Sequence, residues 1–313
     1  MRIATDTFTN NFLLQINQLQ QQQNTLQQES STGLKITQLA DNPSVMSNVL
    51  NLQTTSSANG QFQSNISTLQ NSATTSYTAM NSLKTISDQV NQIAIEASSG
   101  TTSTTQLAAY SVQMKQLIQQ AVQLGNTQDA NGNYIFSGTS TNVAPFAATT
   151  DANGNVTAVA YQGNASVASA EIGHIVTVSA QTLGANTSGS GPQGLFADSR
   201  TGANLFGHMI ALQQDLASGN TTAISSTDAP ALQKDENNII TSISSNSVLQ
   251  ATLTSATNIA AAQSTNFTTQ ISNETSADLA TTLTQLTQTQ TAYQAALESG
   301  AKIMNLSLLD YLH

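Results

Sequence analysis

The last forty residues carry the pattern that most restricts the fold, because their apolar side chains keep to one helical face for many turns. Leu279, Leu283, Leu286, Tyr293, Leu297, Met304 and Leu308 follow one another at spacings of three, four or seven. Gln290 and Gly300 occupy the two vacant steps. So narrow a seam is typical of a coiled coil rather than of a globular surface helix. The segment 271–311 is therefore predicted to need a partner helix of similar length.

The N-terminal segment repeats this pattern and is the predicted partner. Its residues step by three and four along a Gln-rich helix, with Gln23 between the last two apolar positions: Phe8, Phe12, Ile16, Leu19, Gln23 and Leu26. Gly33 interrupts the helix. A new helix is predicted to begin with Asn42 as N-cap and Pro43 at its first position, since the residue before proline is biased away from helix.

The interior of the chain predicts a helical bundle. Apolar positions keep helical spacing from residue 45 to about 97, and Ser103 with Gln106 has the spacing of a capping box that opens another helix. Helical spacing returns at Leu205. A last helix is predicted to begin near Pro230 and to run without a break into the C-terminal seam.

Between these helices, residues 129 to about 200 predict a small β insertion. Short β-branched runs separated by glycine-rich turns predict strands at 134–136, 156–161, 167–172 and 175–179. The polar stretch 184–194 is predicted to be loop.

The predicted fold is mainly α with a small β insertion. The N- and C-terminal segments form a long antiparallel helical bundle or coiled coil, and a β-rich outer domain lies at the centre of the sequence. The predicted parts are a terminal coiled-coil assembly domain (1–42 and 271–313), a helical bundle domain (43–132 and 201–270) and the inserted β-rich domain (133–200).

Composition excludes several classes of partner. The formal charge is −10 with only seven Lys and Arg, which argues against binding to nucleic acid or to acidic membranes. Without cysteine the chain has neither disulfides nor thiolate metal sites. The N-terminus lacks a basic region followed by an apolar run, so no cleaved secretory signal is expected, and no stretch is apolar enough for a membrane span.

No catalytic, cofactor or metal site is predicted. Asp129-Ala-Asn-Gly-Asn133 and Asp151-Ala-Asn-Gly-Asn155 begin like calcium loops, but they lack glycine at position six and glutamate at position twelve. Asn-Gly turns are the preferred interpretation. The segment 189–194 matches GxGxxG, yet no helix opens at its last glycine. His174, His208 and His313 have no second candidate ligand at i+4, and His208 is predicted to lie on a helix surface.

Several motifs resemble the flagellin superfamily, and within it the hook-associated junction proteins. They are the opening MRIATDTF, the segments 31–36 and 40–43 around the proline turn, the segments 133–139, 145–146 and 161–163, and the ending 294–312. Family members often have a second Asp where Asn42 stands. The ending is the most specific match, because filament flagellins end differently.

The resemblance implies a structural subunit, not an enzyme, at the junction between hook and filament of the bacterial flagellum. It implies type III export, an extracellular location and assembly through the terminal helices. Implied partners are further copies in a ring or helix, the first hook-associated protein, flagellin, and an export chaperone binding the C-terminal helix. The predicted interface combines both seams with Leu309 and Leu312. Filament-forming flagellin is one alternative, and an extracellular stalk or adhesin with a glycan-binding β domain is another.

Overall fold

The computed structural model describes residues 2–311, with side chains for residues 9–302. Its Cα positions form two compact units, residues 1–58 with 263–313, and residues 59–262. The helices are α1 (Arg2–Thr32), α2 (Pro43–Ala97), α3 (Thr104–Gly125), α4 (Leu205–Ser218), α5 (Thr221–Ala223), α6 (Ala229–Thr275) and α7 (Leu279–Tyr311), with a π-helical turn at Ile224–Asp228. The mainly helical class with a small β-rich centre is confirmed. The predicted three-part domain division stays a prediction.

The β-rich segment forms three small sheets. The strands are β1 (Phe146–Thr150), β2 (Val156–Tyr161), β3 (Ala170–Gly173), β4 (Val176–Val178), β5 (Leu183–Asn186), β6 (Gly194–Asp198) and β7 (Ala203–Asn204). Two antiparallel hairpins pair β1 with β2 and β3 with β4. In the third sheet β6 lies between β5, which is parallel to it, and β7, which is antiparallel.

The caps predicted from the sequence are present. Asn42 Oδ1 accepts the backbone N–H of Val45 at 3.2 Å, where α2 begins at Pro43. Ser103 accepts the N–H of Gln106 at 3.3 Å and opens α3. Each cap satisfies a donor that the first helical turn leaves without an intrahelical partner.

The unit formed by residues 59–262 has an aromatic cluster at its centre. Phe146 lies 4.7 Å from Phe196 and 5.1 Å from Phe206 between ring centroids, and the rings of Phe196 and Phe206 are stacked. Phe136 approaches Phe196 edge-on. The cluster joins β1 and β6 to helix α4, and aliphatic side chains of α2, α3 and α4 complete this core. Buried aromatic side chains of this size dominate core energetics.

Two predictions in the β segment are wrong. Residues 134–136 form no strand, because Tyr134 makes only an isolated bridge to Gln128 while Phe136 is buried in the aromatic cluster. Residues 184–194 are not wholly loop, since β5 and the first residue of β6 lie in this stretch. Gly184 donates its N–H to Phe136, and a Cβ there would overlap Phe146 and Tyr161. Gly184 therefore allows a strand to pack closely against these rings, in a stretch whose polar residues suggest a loop.

The predicted continuous C-terminal helix is also wrong. Helix α6 ends at Thr275, and α7 begins at Leu279. The Asp278 carboxylate accepts the N–H of Ala280 at 3.0 Å and the hydroxyl of Thr281 at 2.8 Å. These bonds hold the pKa of Asp278 below its usual value. The physical reason for the break is that Asp278 is an N-cap, which starts a new helix.

Candidate assembly surface

Helix α1 packs against α7 with the face that the sequence predicts. Ile16 and Leu26 are buried, and Phe12, Leu19 and Gln23 are half-buried. These positions follow one another at steps of three and four, so they form one narrow seam. The predicted interface residues Phe8, Met304, Leu308, Leu309 and Leu312 lie outside the described side chains.

The face of α7 that is turned inward differs from its leucine stripe. Its buried or half-buried positions run Thr282, Leu286, Thr289, Gln290, Tyr293, Ala296 and Gly300. The predicted register shares Leu286, Gln290, Tyr293 and Gly300 with this set. Four of these positions carry Thr, Ala or Gly, and small side chains at a helix contact let the two helices approach closely.

Gly300 shows this fit most directly. A Cβ built at Gly300 would overlap the ring of Phe12. The glycine therefore makes room for an aromatic side chain of the facing helix. In the sequence it is only a vacant step in the leucine register, and its role depends on a residue almost three hundred positions away.

A short backbone bridge connects the segment that follows α1 with the segment that precedes α7. Gly33, with φ of 72°, ends α1 in the left-handed conformation typical of a glycine after a helix. Leu34 pairs with Ser276 as an antiparallel bridge. Lys35 donates its N–H to Thr275, and Ala277 donates its N–H to Gly33, both at 2.8 Å. This bridge fixes the register between α1 and α7.

The remaining leucines leave an apolar flank on the helix pair. Leu13 and Leu14 of α1 are exposed, as are the predicted interface residues Leu279, Leu283 and Leu297 of α7. Residues 7–28 and 279–297 contain no Asp, Glu, Lys or Arg. An exposed apolar surface without charge can pack against another protein without desolvating an ion, so it is suited to association.

The two calcium-like loops use their carboxylates to close turns. Asp129 Oδ1 accepts the N–H groups of Asn131 and Asn133 at 2.8 and 2.9 Å. Asp151 accepts the equivalent pair at 2.8 Å, and its loop joins β1 to β2. The bonds to Asn155 lower the pKa of Asp151. The turn interpretation is therefore confirmed for both loops.

The GxGxxG segment is also held by its own side chains. The Gly194 N–H donates to Asp198 at 3.0 Å, and the guanidinium of Arg200 bonds the same carboxylate at 2.6 Å. Arg200 lowers the pKa of Asp198 to about 2. Gly194 opens strand β6 rather than a helix, as the preferred interpretation requires.

His208 lies on helix α4, as predicted, but it is half-buried and bonded to a buried carboxylate. Its Nδ1 lies 2.7 Å from Oδ2 of Asp235, a fully buried residue of α6 whose Oδ1 accepts the N–H of Asn204. Burial raises the pKa of Asp235. No sequence pattern marks this pair, because its members lie on separate helices.

Among the described residues, no three His, Cys, Asp or Glu side chains are grouped so that they could hold a metal ion.

A second buried carboxyl belongs to the π-helical turn. Burial and the neighbouring Asp215 raise the pKa of Asp228 to about 6, and its Oδ2 lacks a hydrogen-bond partner. Asn220 donates its side-chain amide to Asp215 at 3.2 Å.

Among the described helices, none is long and apolar enough to cross a membrane.

Residues 3–141 match the family model described as bacterial flagellin N-terminal helical region. A curated relative, flagellar hook-associated protein 3 of Escherichia coli (strain K12), is 25% identical over 289 residues, which are 90% of each chain. The match therefore covers all but about a tenth of this chain.

Two solved structures share the fold. A putative flagellar hook-associated protein from Vibrio parahaemolyticus aligns with a TM-score of 0.63 at 20% identity, covering 75% of this chain and all of its own. FlgL of Bacillus cereus aligns with a TM-score of 0.56 at 18% identity, covering 71% of this chain and 99% of its own. These relatives are structural flagellar proteins rather than enzymes, in agreement with the prediction for this chain.

Proposed function

We propose that the chain belongs to the flagellin superfamily and is a structural subunit of the bacterial flagellum that joins the hook to the flagellin filament. The likeness to hook-associated protein 3 across 90% of both chains supports the junction role. The proposal places the protein outside the cell, in the assembled flagellum.

The α1–α7 pair carries the assembly part of this proposal. Its inner seam is closed within one chain, while Leu279, Leu283 and Leu297 stay exposed beside it. In an isolated subunit these leucines stay exposed to water. Burying them against a neighbouring copy contributes favourable free energy to association. The uncharged flank is thus the surface through which copies pack in a ring or helix. Phe8, Met304, Leu308, Leu309 and Leu312 extend the proposed interface.

The partners follow from the same role. The subunit contacts further copies of itself, the first hook-associated protein on the hook side and flagellin on the filament side. An export chaperone covers the leucines of α7 before export, when an exposed apolar flank would otherwise promote aggregation.

Immunogold electron microscopy of isolated flagella tests the location. An antibody against residues 133–200 should label a single short zone where hook meets filament. Label along the whole filament would instead identify a filament-forming flagellin, and absence of label from the flagella of cells that express the protein would refute a flagellar role. Neither the filament role nor a glycan-binding stalk is favoured by the comparisons.

A further inference from the structure

The tip of the β3–β4 hairpin carries an unusual residue. Ile175 has φ of 61° and is 91% exposed. A β-branched residue in the left-handed region is a genuine outlier, because its side chain crowds its own backbone. Glycine or asparagine would adopt this turn without the crowding. The chain therefore places a strained, water-exposed isoleucine where a polar residue would serve the turn better.

The hairpin is anchored below this tip. Ile172 is buried among Ile66, Ala73 and Leu253 in a small apolar cluster. Asn65 also donates its side-chain amide to the Glu171 carbonyl at 2.8 Å. Strained conformations persist where the surrounding structure determines them, and they concentrate at functional contacts. The anchored base holds Ile175 in place as a projecting apolar knob.

A groove of about 800 Å³ lies at the base of the same hairpin. Its walls come from residues 68–75 of α2, the turn at 129–135 and the ends of the hairpin, and they include Leu69, Ile135 and Ala180. This volume is within the range of about 300–1,000 Å³ found for ligand sites. Asp129 is the one charged residue of its described lining.

The tip and the groove are chemically complementary. The apolar side chain of Ile175 can pack against the apolar residues of the groove, and the ring N–H of His174 can donate a hydrogen bond to the carboxylate of Asp129. Among the described residues, Asp129 Oδ2 accepts one bond, from Asn133 at 3.3 Å, so it retains lone pairs for a further donor. A knob and a groove on different parts of one chain produce a head-to-tail contact, which repeats into a ring or an open helix.

We propose that Ile175 of one copy docks into the hairpin-base groove of the neighbouring copy in the assembled flagellum. This inference rests on the proposed function, because a second copy is the occupant only if the chain assembles with itself. It adds a contact between β-rich segments to the contact made by the terminal helices.

Cysteine cross-linking tests the contact, and the absence of native cysteine removes competing thiols. One strain makes two single-cysteine variants of the chain, Ile175→Cys and Ser72→Cys, where Ser72 lines the groove. The two chains differ in molecular mass, so that a dimer containing one of each can be recognised. Purified flagella are oxidised and blotted. The expected product is a dimer containing both sizes. Ala152→Cys, at the exposed tip of the β1–β2 hairpin, replaces Ile175→Cys as the matched control and should give no such dimer.

The outcomes separate the two proposals. Flagella that contain both variants but give no mixed dimer would overturn the docking contact and leave the junction role standing. Absence of the wild-type chain from purified flagella would overturn the junction role and the docking contact together.

A competition experiment supplies an independent readout. Ile175→Gly removes the knob and relieves the turn, so the purified variant should unfold at a urea concentration no lower than wild type. When both forms are made equally, mass spectrometry of flagella should find wild type in about tenfold excess, as for loss of a central contact residue. The control Ala152→Gly should incorporate equally with wild type. Equal incorporation of Ile175→Gly would contradict the inference.

Discussion

Replacing the exposed leucines of α7 by glutamine should weaken assembly strongly. Leu279, Leu283 and Leu297 are 47%, 50% and 45% exposed. Full burial of a leucine is worth about 1.5–3 kcal/mol, so covering the remaining half of each contributes about 0.7–1.5 kcal/mol. The three together contribute about 2–4 kcal/mol per copy, equivalent to a fall of roughly 30- to 700-fold in the association constant.

The matched control changes two exposed threonines of the same helix. Thr284 and Thr291 lie away from both the inner seam and the leucines, and their hydroxyls bond carbonyls of their own helix. Their replacement by glutamine should leave assembly unchanged. Glutamine keeps two methylenes, so the leucine triple variant retains part of its packing within the chain.

The assay measures filament protein in the culture medium against filament protein attached to cells. The leucine triple variant should shed most of its filament protein, while the threonine variant should resemble wild type. Urea unfolding of each purified chain shows whether residues 59–262 remain folded. Normal filament attachment by the leucine variant would refute the assembly role of this flank.

Three further predictions concern stability, each read by urea unfolding of the purified chain. Gly33→Ala should destabilise by about 1–2 kcal/mol, because φ of 72° disfavours a side chain and nothing else crowds the site; no change would contradict this. The raised pKa of Asp228 means that the folded chain binds the proton more tightly than the unfolded chain, so stability falls as pH rises from about 4 to about 6. Asp228→Asn should remove this loss, equalling the parent at pH 4 and exceeding it by about 1–2 kcal/mol at pH 7; a variant no more stable at pH 7 would refute it. Asp235→Ala should cost about 1–3 kcal/mol by leaving the Asn204 N–H and His208 without their buried acceptor, whereas a neutral effect would show that the pair is dispensable.

The helical ends could be predicted from the sequence because their signals are local. Spacing along one helix gave the inner face of α1, and the caps at Asn42 and Ser103 lie within three residues of the donors they satisfy. The family motifs predicted a flagellar protein, and the relatives found by comparison are flagellar proteins.

Other features could not be predicted because they depend on residues distant in the sequence. The orientation of α7 depends on its packing against α1, where Gly300 makes room for the ring of Phe12. The strands around Gly184 depend on aromatic rings that lie more than twenty positions before it. The break before Asp278 was the exception, since an aspartate directly before the leucine seam is a local N-cap signal that could have been recognised.

The central claim is that the protein joins hook to filament, and electron microscopy of a strain lacking the gene tests it most directly. Cells should retain hooks, carry no filaments and release flagellin into the medium, and expression of the chain should restore the filaments. Attached filaments in the deletion strain would contradict the account. Loss of flagellin production itself would assign the chain to the filament instead.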